Sequence, residues 1–343
     1  MTSPPGEAVR EAVVAAGGTV PFATFMELAL YGTGGFYTGP TAGSAGRRGD
    51  FLTAPEVGPL FGAVWARYLD AEWERIGRPD PFVVVEAGAG PGTLARSIVA
   101  AAPSCRSALR YVAVERSAAQ RARHPAGIES EAELPSEPFD GVVVANELLD
   151  NLAFRLVVFD GAWREAHVAV DGERFVEVLG PPLEPVPAVL PPRPPLGARA
   201  PLLDAAAAWV DEVRQLVRRG SVVAIDYART TTAEMAALDW RSWLRTYAGH
   251  QRGRHYLHDV GRQDITTDVP LDQLPAPTRR RPQAEFLRQW GIDELVADGA
   301  AAWSAAAAAP DVRALTMRSR RREAEALTEP AGLGAFDVLE WVS

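Results

Sequence analysis

Four short apolar runs constrain the fold of this chain more than any other feature of its sequence. They occupy residues 82–85, 111–114, 141–145 and 221–225, and none of them alternates apolar with polar positions. Strands of this kind are buried on both faces, as in a parallel sheet that helices cover on both sides. We therefore predict an α/β protein with a Rossmann-like sheet.

A polar residue follows each of these runs. Glu86 follows the first run, Glu115 the second, Asn146 the third and Asp226 the fourth. In open α/β sheets, ligands bind in the crevice outside the carboxyl ends of the strands. These four positions are therefore the first candidates for a ligand-binding edge.

The first run leads into a glycine-rich turn and then into a helix-like stretch at residues 93–101. Glycines stand at positions 88, 90 and 92, where they let the backbone approach a ligand closely. Dinucleotide-binding enzymes use G-x-G-x-x-G, whose third glycine would fall here on Thr93. The E-x-G-x-G-x-G spacing instead resembles motif I of class I methyltransferases, in which the turn admits the amino-acid part of S-adenosyl-L-methionine (SAM).

Glu115 ends the second run and is the natural partner of that turn. A carboxylate at this place can accept two hydrogen bonds from the hydroxyls of a ribose. Glycine-rich turns and acidic strand ends are each common, but their joint spacing predicts SAM as the cofactor. The predicted cofactor-binding residues are Glu86, Gly88, Gly90, Gly92, Glu115, Gly49, Asp50 and Phe51.

Residues 49–51 belong to that set because the glycine-rich loop around them is long enough to fold over a ligand as a lid. The alternative is a structural turn in which Asp50 caps a helix. The sequence leaves both interpretations open.

The segment after the third run is where a methyl donor would meet its acceptor. Asn146, Glu147 and Asp150 are the predicted catalytic residues. The two carboxylates would hold a cationic or hydrogen-bonding acceptor in line with the sulfonium, because methyl transfer is a direct displacement that depends on positioning and charge. The alternative is that either carboxylate caps the following helix.

Two further features have both a structural and a functional interpretation. Asp226 and Tyr227 could line the pocket, or Asp226 could only anchor a loop. The tyrosines at positions 31 and 37 could shape the pocket, although aromatic packing is the simpler interpretation.

A histidine-containing segment in the second half of the chain raises the question of a metal site. Its histidines and nearby acids are His250, His255, His258, Asp259 and Asp264. Their spacing fits no structural zinc pattern, so solvated histidines are the preferred interpretation and no metal is predicted.

The remaining segments complete the predicted architecture. Outside the four runs we expect helices at 7–30, 57–73, 93–101 and 312–327, antiparallel strands at 155–158 and 166–170, and a last strand at 336–342. Nine prolines between residues 181 and 201 exclude regular helix and central strand there. The predicted parts are a helical N-terminal extension with the lid loop at 1–75, a SAM-binding core at 76–229 with an insertion at 155–201, a cap at 230–330 and a closing strand at 331–343.

Composition excludes several functional classes. The net charge is −9, which argues against broad nucleic-acid binding because phosphate contacts need clustered positive charge. Cys105 is the single cysteine, so neither an intramolecular disulfide nor a cysteine-based zinc site can form within the chain. Residues 1–20 lack the pattern of a secretory signal, and no apolar run approaches the roughly 20 residues that span a bilayer. We expect a cytoplasmic protein without membrane or nucleic-acid partners; the oligomeric state stays open.

The chain as a whole is similar to the MidA-like family of SAM-dependent methyltransferases. The resemblance is carried by LALY at 28–31, GFY at 35–37, GDFLTAPE at 49–56, FG at 61–62, EAGAGPGTL at 86–94, ANELLD at 145–150, IDY at 225–227, His250, DIT at 264–266 and QAEFL at 283–287. These segments cover nearly the full length. The GDF-x-T-A-P-E and ANE-x-x-D segments are unusual enough to make the match specific.

This family includes a mitochondrial arginine methyltransferase that acts in the assembly of respiratory complex I. The resemblance implies a class I SAM-dependent methyltransferase sheet with a helical N-terminal extension and an inserted cap. It also implies arginine in a protein as the acceptor, whose planar cation Glu147 and Asp150 could grip. The chain departs from the family pattern at Ala63, residues 151–153, Ala228 and residues 260–261, mainly on the presumed acceptor side.

Three alternatives stand beside a protein methyltransferase. A small-molecule methyltransferase fits the departures at residues 151–153 and Ala228. A SAM-binding assembly or interaction protein with little turnover would keep its function after mutation of Glu147. A nicotinamide-dependent dehydrogenase is disfavoured by Thr93 and by the lack of a Tyr-x-x-x-Lys pair, since the chain has no lysine.

Overall fold

The computed structural model describes residues 5–39, 53–249, 251–306, 308–309 and 311–343. The helices are α1 Pro5–Ala15, α2 Phe22–Tyr31, α3 Ala54–Val57, α4 Pro59–Arg75, α5 Thr93–Ala101, α6 Ala118–Arg121, α7 Asp204–Leu216, α8 Thr232–Ala237, α9 Gln283–Gln289, α10 Ile292–Ala305 and α11 Val312–Leu327. The strands are β1 Thr19–Pro21, β2 Phe82–Ala87, β3 Leu109–Val114, β4 Glu129–Glu131, β5 Phe139–Asn146, β6 Arg155–Phe159, β7 Trp163–Asp171, β8 Arg174–Pro182, β9 Arg199–Leu202, β10 Val217–Asp226, β11 Ala228–Arg229, β12 Leu244–Ala248, β13 Gln251–Arg252, β14 Asp264–Thr267, β15 Val269–Pro270, β16 Arg279–Pro282 and β17 Asp337–Val342. In these ranges, no helix has the length and apolar character needed to cross a membrane.

A seven-stranded sheet forms the centre of the molecule in the order β16-β17-β10-β5-β2-β3-β4. Every neighbouring pair from β10 to β4 is parallel, and β17 runs antiparallel to both of its neighbours. The four predicted runs are β2, β3, β5 and β10, which confirms the α/β, Rossmann-like fold class. Their β-branched side chains suit a pleated sheet that is covered on both faces.

Successive residues of these strands pack into two separate cores, one on each face of the sheet. In β2, Val83 and Val85 point to one core and Val84 points to the other. Helix α7 contributes Val213 to the first core, and α5 contributes Ile98 to the second. Helices therefore cover both faces, so the ligand-binding positions remain those at the carboxyl edge of the sheet.

The predicted antiparallel strands form a sheet of their own. They are β6 and β7, which join β1, β8 and β9 in a five-stranded antiparallel sheet. The prediction of one helix over residues 7–30 is wrong, because Gly17 and Gly18 have φ angles of 97° and 85° and end α1. Residues 19–21 then pair with β7 before α2 begins.

The proline-rich segment behaves as its composition predicts. It holds the end of β8 and most of β9, which is an edge strand that pairs only with β6 among the described strands. Proline lacks the N–H group that a central strand would have to donate, so an edge position accommodates it.

The inserted cap contains a three-stranded sheet in the order β13-β12-β14. It differs from the predicted span of 230–330, because residues 279–282 form β16 and return to the central sheet. No apolar run marks this strand. It pairs with β17 through the backbone, and an ion pair joins buried Arg281 to Glu340 of β17, with 2.7 Å between nitrogen and oxygen.

Two glycines permit the close pairing of the central strands, and they give a test of the fold. A Cβ on Gly141 would lie 1.8 Å from the Val83 carbonyl oxygen, and one on its neighbour Gly220 would lie 1.7 Å from the Gly141 carbonyl oxygen. We expect Gly141→Ala to lower the free energy of unfolding by about 3 kcal/mol, because the strands must separate. Urea denaturation measures this change.

The control is Gly161→Ala in the turn between β6 and β7. No described atom lies within 4 Å of its Cβ position, so only the positive φ of 112° is disturbed. That strain costs roughly 1–2 kcal/mol. Equal losses in the two variants would contradict the steric argument.

Candidate functional site

A cavity of about 1100 Å³, counting its open mouth, lies at the carboxyl edge of the central sheet. We call it the edge cavity. The predicted residues that line it are Glu86, Gly88, Gly90, Glu115, Asn146, Glu147 and Asp150. The structure thus brings seven predicted residues, which lie at or just after the ends of three strands, into the lining of one cavity. This is expected, because the carboxyl ends of parallel strands meet at the same edge of a sheet.

The glycine turn after β2 is fixed from two sides. The Gly90 N–H donates to Glu115 Oε2 at 3.0 Å, and the Gly90 carbonyl accepts from His124 Nε2 at 2.9 Å. His124 Nδ1 is 2.8 Å from the hydroxyl of Ser130 in β4, which defines the ring orientation. Gly90 has a φ of 52°, which side-chain-bearing residues rarely adopt.

The open side of Gly90 faces the edge cavity. Within the part of the chain that the structure describes, no atom lies within 4 Å of its Cβ position. Gly88 differs, because a Cβ there would lie 3.1 Å from Leu148 Cδ1. A bare backbone surface at Gly90 is what a closely approaching ligand requires.

Gly92 does not line the edge cavity. It adopts a left-handed conformation at the start of α5, and a Cβ on it would lie 2.9 Å from Pro125 Cδ. Packing and helix initiation therefore account for this glycine. Its predicted contact with the cofactor remains a prediction.

The two acids of the cofactor side are held in different ways. Glu86 is buried, accepts a hydrogen bond from Tyr111 Oη at 2.7 Å, and has a pKa raised to about 7 by burial. Burial also raises the pKa of Glu115, whose Oε1 accepts the Ser117 N–H at 2.8 Å. Since each carboxylate oxygen can accept more than one hydrogen bond, Glu115 can still bind the hydroxyls of a sugar.

A second recess adjoins the edge cavity and shares Gly88 and Glu115 with it. Leu134 and Trp209 supply apolar walls, and Glu133 supplies a hydrogen-bond acceptor. A flat aromatic base would fit such surroundings, so the two recesses together suit a nucleoside joined to an amino acid. The residues present therefore fit SAM.

Glu147 occupies a strained position on the acceptor side. Its φ is 53°, its N–H donates to the Ile225 carbonyl at 2.8 Å, and its carboxylate accepts from Asn146 Nδ2 at 3.0 Å and from the Ala54 N–H. Burial raises the pKa of Glu147 to about 8. Left-handed non-glycine residues that persist in a fold cluster at functional sites.

The structure distinguishes between the roles that the sequence leaves open for Asp150 and Asp226. Asp226 Oδ2 accepts the N–H groups of Leu149 and Asp150 at 2.9 and 3.2 Å, so Asp226 is the anchor of this turn. Asp150 Oδ2 accepts from Thr266 Oγ1 at 2.7 Å, whereas its buried Oδ1 has no hydrogen-bond partner among the described residues. Burial raises the pKa of Asp150 to about 6.

Sequence reasoning gave no definite role to several residues that the fold brings to the edge cavity. They are Tyr31, Tyr37, Glu56, Asn151, Tyr227, Tyr247, Asp264 and Thr266. Tyr31 and Tyr37 are stacked with ring centroids 5.3 Å apart, so they both pack together and line the cavity. The family resemblance marked several of these positions, but the hydrogen-bond partners of Tyr37, Asn151 and Thr266 are more than 100 residues away in sequence.

The predicted lid residues Gly49, Asp50 and Phe51 lie outside the described residues, as does His250. Residues directly after the loop do reach the edge cavity, where Glu56 Oε1 accepts from Thr93 Oγ1 at 2.6 Å. The described histidines and acids form no group of three or more that could hold a metal ion.

Comparisons with known proteins agree with this geometry. A family model described as "Putative S-adenosyl-L-methionine-dependent methyltransferase" matches residues 64–287, well over half of the chain. A crystal structure from Burkholderia thailandensis, bound to S-adenosyl-homocysteine (SAH), superposes with a TM-score of 0.82. It is 28% identical in sequence, and the alignment covers 99% of this chain and 92% of that one.

Curated relatives are more distant. The mitochondrial protein arginine methyltransferase NDUFAF7 of Mus musculus is 26% identical over 298 residues, which are 72% of this chain and 65% of that protein. The Drosophila melanogaster homologue is 40% identical over 88 residues, 24% of this chain and 18% of that protein. The chain thus spans less than two thirds of these relatives.

The open face of Gly90 gives a prediction about the cofactor. A valine there would project into the edge cavity, so we expect Gly90→Val to weaken SAH binding by a factor on the order of 100 or more. Isothermal titration calorimetry of both proteins measures the affinity. The control is Gly127→Val, since Gly127 also has a positive φ and open space but does not line the cavity. Unchanged SAH binding in Gly90→Val would contradict the placement.

The raised pKa of Glu147 gives a prediction about stability. Folding of the unliganded protein favours the protonated carboxyl, so the free energy of unfolding falls as pH rises from the unfolded pKa near 4.5 to the folded value of about 8. Glutamine stays neutral throughout. Between pH 5 and pH 8, Glu147→Gln should therefore gain on the order of 3 kcal/mol relative to the parent.

Urea denaturation at the two pH values measures this relative gain. Glu137→Gln is the control, because Glu137 is exposed. A constant difference between Glu147→Gln and the parent at both pH values would contradict a buried, protonated Glu147.

Proposed function

The chain belongs to the family of SAM-dependent methyltransferases, and from that membership we propose that it methylates the guanidinium group of arginine residues in a protein. The observation that carries the proposal is the pair of carboxyl groups of Glu147 and Asp150 in the edge cavity. Both acids line the cavity, Asp150 Oδ1 has no hydrogen-bond partner among the described residues, and the described lining contains no arginine. A planar cation would satisfy both acids.

Aromatic rings support a cationic acceptor. Tyr37 and Tyr247 line the same cavity as the two acids, as does Tyr227, whose ring already has Arg245 over it. The faces of such rings attract cations, and desolvation strengthens this attraction. Rings and carboxylates together favour a delocalised cation such as guanidinium over a neutral acceptor.

The residues can also manage the charge that moves in the reaction. SAM supplies a methyl group on a positively charged sulfur. Glu147 and Asp150 would hold the acceptor so that one nitrogen faces that methyl group. As this nitrogen bonds to the methyl carbon it must release a proton, and Glu147, with a pKa of about 8, is suited to receive it.

Relatives support the proposal, since two of them are named protein arginine methyltransferases. Their identity and coverage are modest, so the acceptor and the cytoplasmic location both remain proposals for this chain. A small cationic molecule is the second candidate, favoured by the burial of Asp150 and Asn151 at the acceptor side.

The test uses SAM labelled on its methyl group, incubated with the protein and a cell lysate. We expect label on arginine residues of lysate proteins, and Glu147→Gln should lower kcat/KM about 100-fold because it loses the proton acceptor and one charge on the cation. SAH affinity should stay within a factor of about 2 of the parent.

Mass spectrometry locates the label, and a reaction without lysate measures methylation of the chain's own arginines. Glu137→Gln is the matched control. Label confined to low-mass material would favour the second candidate. Unchanged activity in Glu147→Gln would contradict the proposed role of that residue.

A further inference from the structure

A third carboxyl group belongs to the acceptor side of the edge cavity. Asp264 is the first residue of β14 and is only 2% exposed. It lines the cavity together with Glu147 and Asp150, although it lies in the cap and more than 100 residues later in the chain. Asp264 is placed there by the cap sheet and not by the carboxyl edge of the central sheet.

Asn151 holds this carboxyl group in position. Its Nδ2 donates to Asp264 Oδ1 and Oδ2 at 3.2 and 3.3 Å and to the Ile265 carbonyl at 3.2 Å. Its Oδ1 accepts from Tyr37 Oη at 3.0 Å. One buried amide therefore joins the N-terminal extension, the turn after β5 and the cap. It also stands at a position where this chain departs from the family pattern.

No basic side chain lines the described walls of this cavity beside these acids. The chain contains no lysine, and no arginine lines the cavity in its described walls. Arg245 on the cap sheet is paired with Asp268 at 2.6 Å and lies over the Tyr227 ring. Burial raises the pKa of Asp150, and the charge of Arg245 partly offsets that shift. Burying several charged carboxylates without a counter-charge is costly, and protonation relieves that cost, so a cation from a bound molecule would stabilise their charged form.

An independent observation points the same way. Asp150 is 4% exposed, its Oδ1 lacks a described partner, and it lies in the wall that Asp264 completes. An unsatisfied buried oxygen in a native fold calls for a ligand. Asp150 is thus oriented to bind something that neither the central sheet nor the cap supplies.

We propose that Asp264 is a third acidic contact for the cationic group of the methyl acceptor, and that Asn151 is the positioning residue that holds it. This inference rests on the proposed function for the acceptor's charge, but it concerns a different residue. Glu147 and Asp150 contact the cation from the side of the central sheet, and Asp264 contacts it from the side of the cap. The amino-acid part of the cofactor is the competing partner for Asp264, so the test separates the two.

The test measures binding of ethylguanidinium, a small probe of the acceptor's charge, by calorimetry in the presence of saturating SAH. We expect Asp264→Asn, which keeps the shape and loses the charge, to weaken ethylguanidinium about tenfold and to leave SAH affinity unchanged. Asn151→Ala should weaken the probe about threefold, because Asp264 remains but is no longer held.

The matched control is Gln263→Ala. Gln263 is a buried amide beside Asp264, but its Nε2 donates to the carbonyls of His255 and His258 in the cap. It does not line the edge cavity. A general disturbance of the cap would therefore affect this variant as much as Asn151→Ala, whereas loss of a held carboxylate would not.

Steady-state kinetics give the second readout, once the labelling experiment has identified an acceptor. In Asp264→Asn and Asn151→Ala, the KM for the acceptor should rise by the same factors as the probe affinity falls, with kcat within a factor of about 2. If the two residues had only a structural role, their substitution would lower kcat and kcat/KM together with the affinity for SAH.

The outcomes separate this inference from the proposed function. If arginine is not the natural acceptor but ethylguanidinium binding still depends on Asp264, the inference about Asp264 holds and the proposed function fails. If arginine is methylated and Asp264→Asn changes neither probe binding nor KM, the inference is overturned alone. Loss of SAH binding in Asp264→Asn would assign the residue to the cofactor and also overturn it, as would failure of the parent to bind ethylguanidinium.

Discussion

The parallel register of β2, β5 and β10 is the constraint on which the site depends. Ala87 at the end of β2 pairs with Ala145 in β5, and Asn146 pairs with Ile225 in β10. The glycine turn and the acidic segment therefore leave the sheet side by side, which brings cofactor and acceptor residues into one cavity. A slip by one residue would turn each strand's side chains to the opposite core, so packing on both faces fixes the register of the site as well.

The second constraint is electrostatic. Burial raises the pKa values of Glu86, Glu147 and Asp264 to about 7, 8 and 7. Near neutral pH the unliganded fold therefore holds Glu147 largely, and Glu86 and Asp264 to about half, in the neutral form. A bound cation reverses that preference, because an opposite charge favours the ionised carboxylate. The same burial that weakens the empty fold thus prepares the cavity for a positively charged ligand, a common compromise at functional sites.

The site residues that could be predicted from the sequence are those that belong to a local pattern of neighbouring residues. Glu86, Gly90 and Glu147 were found because a strand, a turn and a helix follow each other locally and leave a readable pattern. Asn151 and Asp264 were assigned no joint role because 113 residues separate them and no periodicity links a turn of the core to a strand of the cap. Strand β16 was missed because its arginine-rich residues form no apolar run, and its pairing with β17 joins positions that are far apart in the chain.

Acids at strand ends look alike in sequence, yet their hydrogen bonds divide them into two kinds. Asp226 accepts three backbone N–H groups, from Leu149, Asp150 and Tyr227, which leaves it little capacity for a ligand. Asp150 has one oxygen held by Thr266 and one without a described partner. The fold has thus used one acid to build the turn and left its neighbour for binding. The hydrogen bonds of these two carboxylates therefore distinguish the acid that builds the turn from the acid in the cavity lining, which their places in the sequence do not.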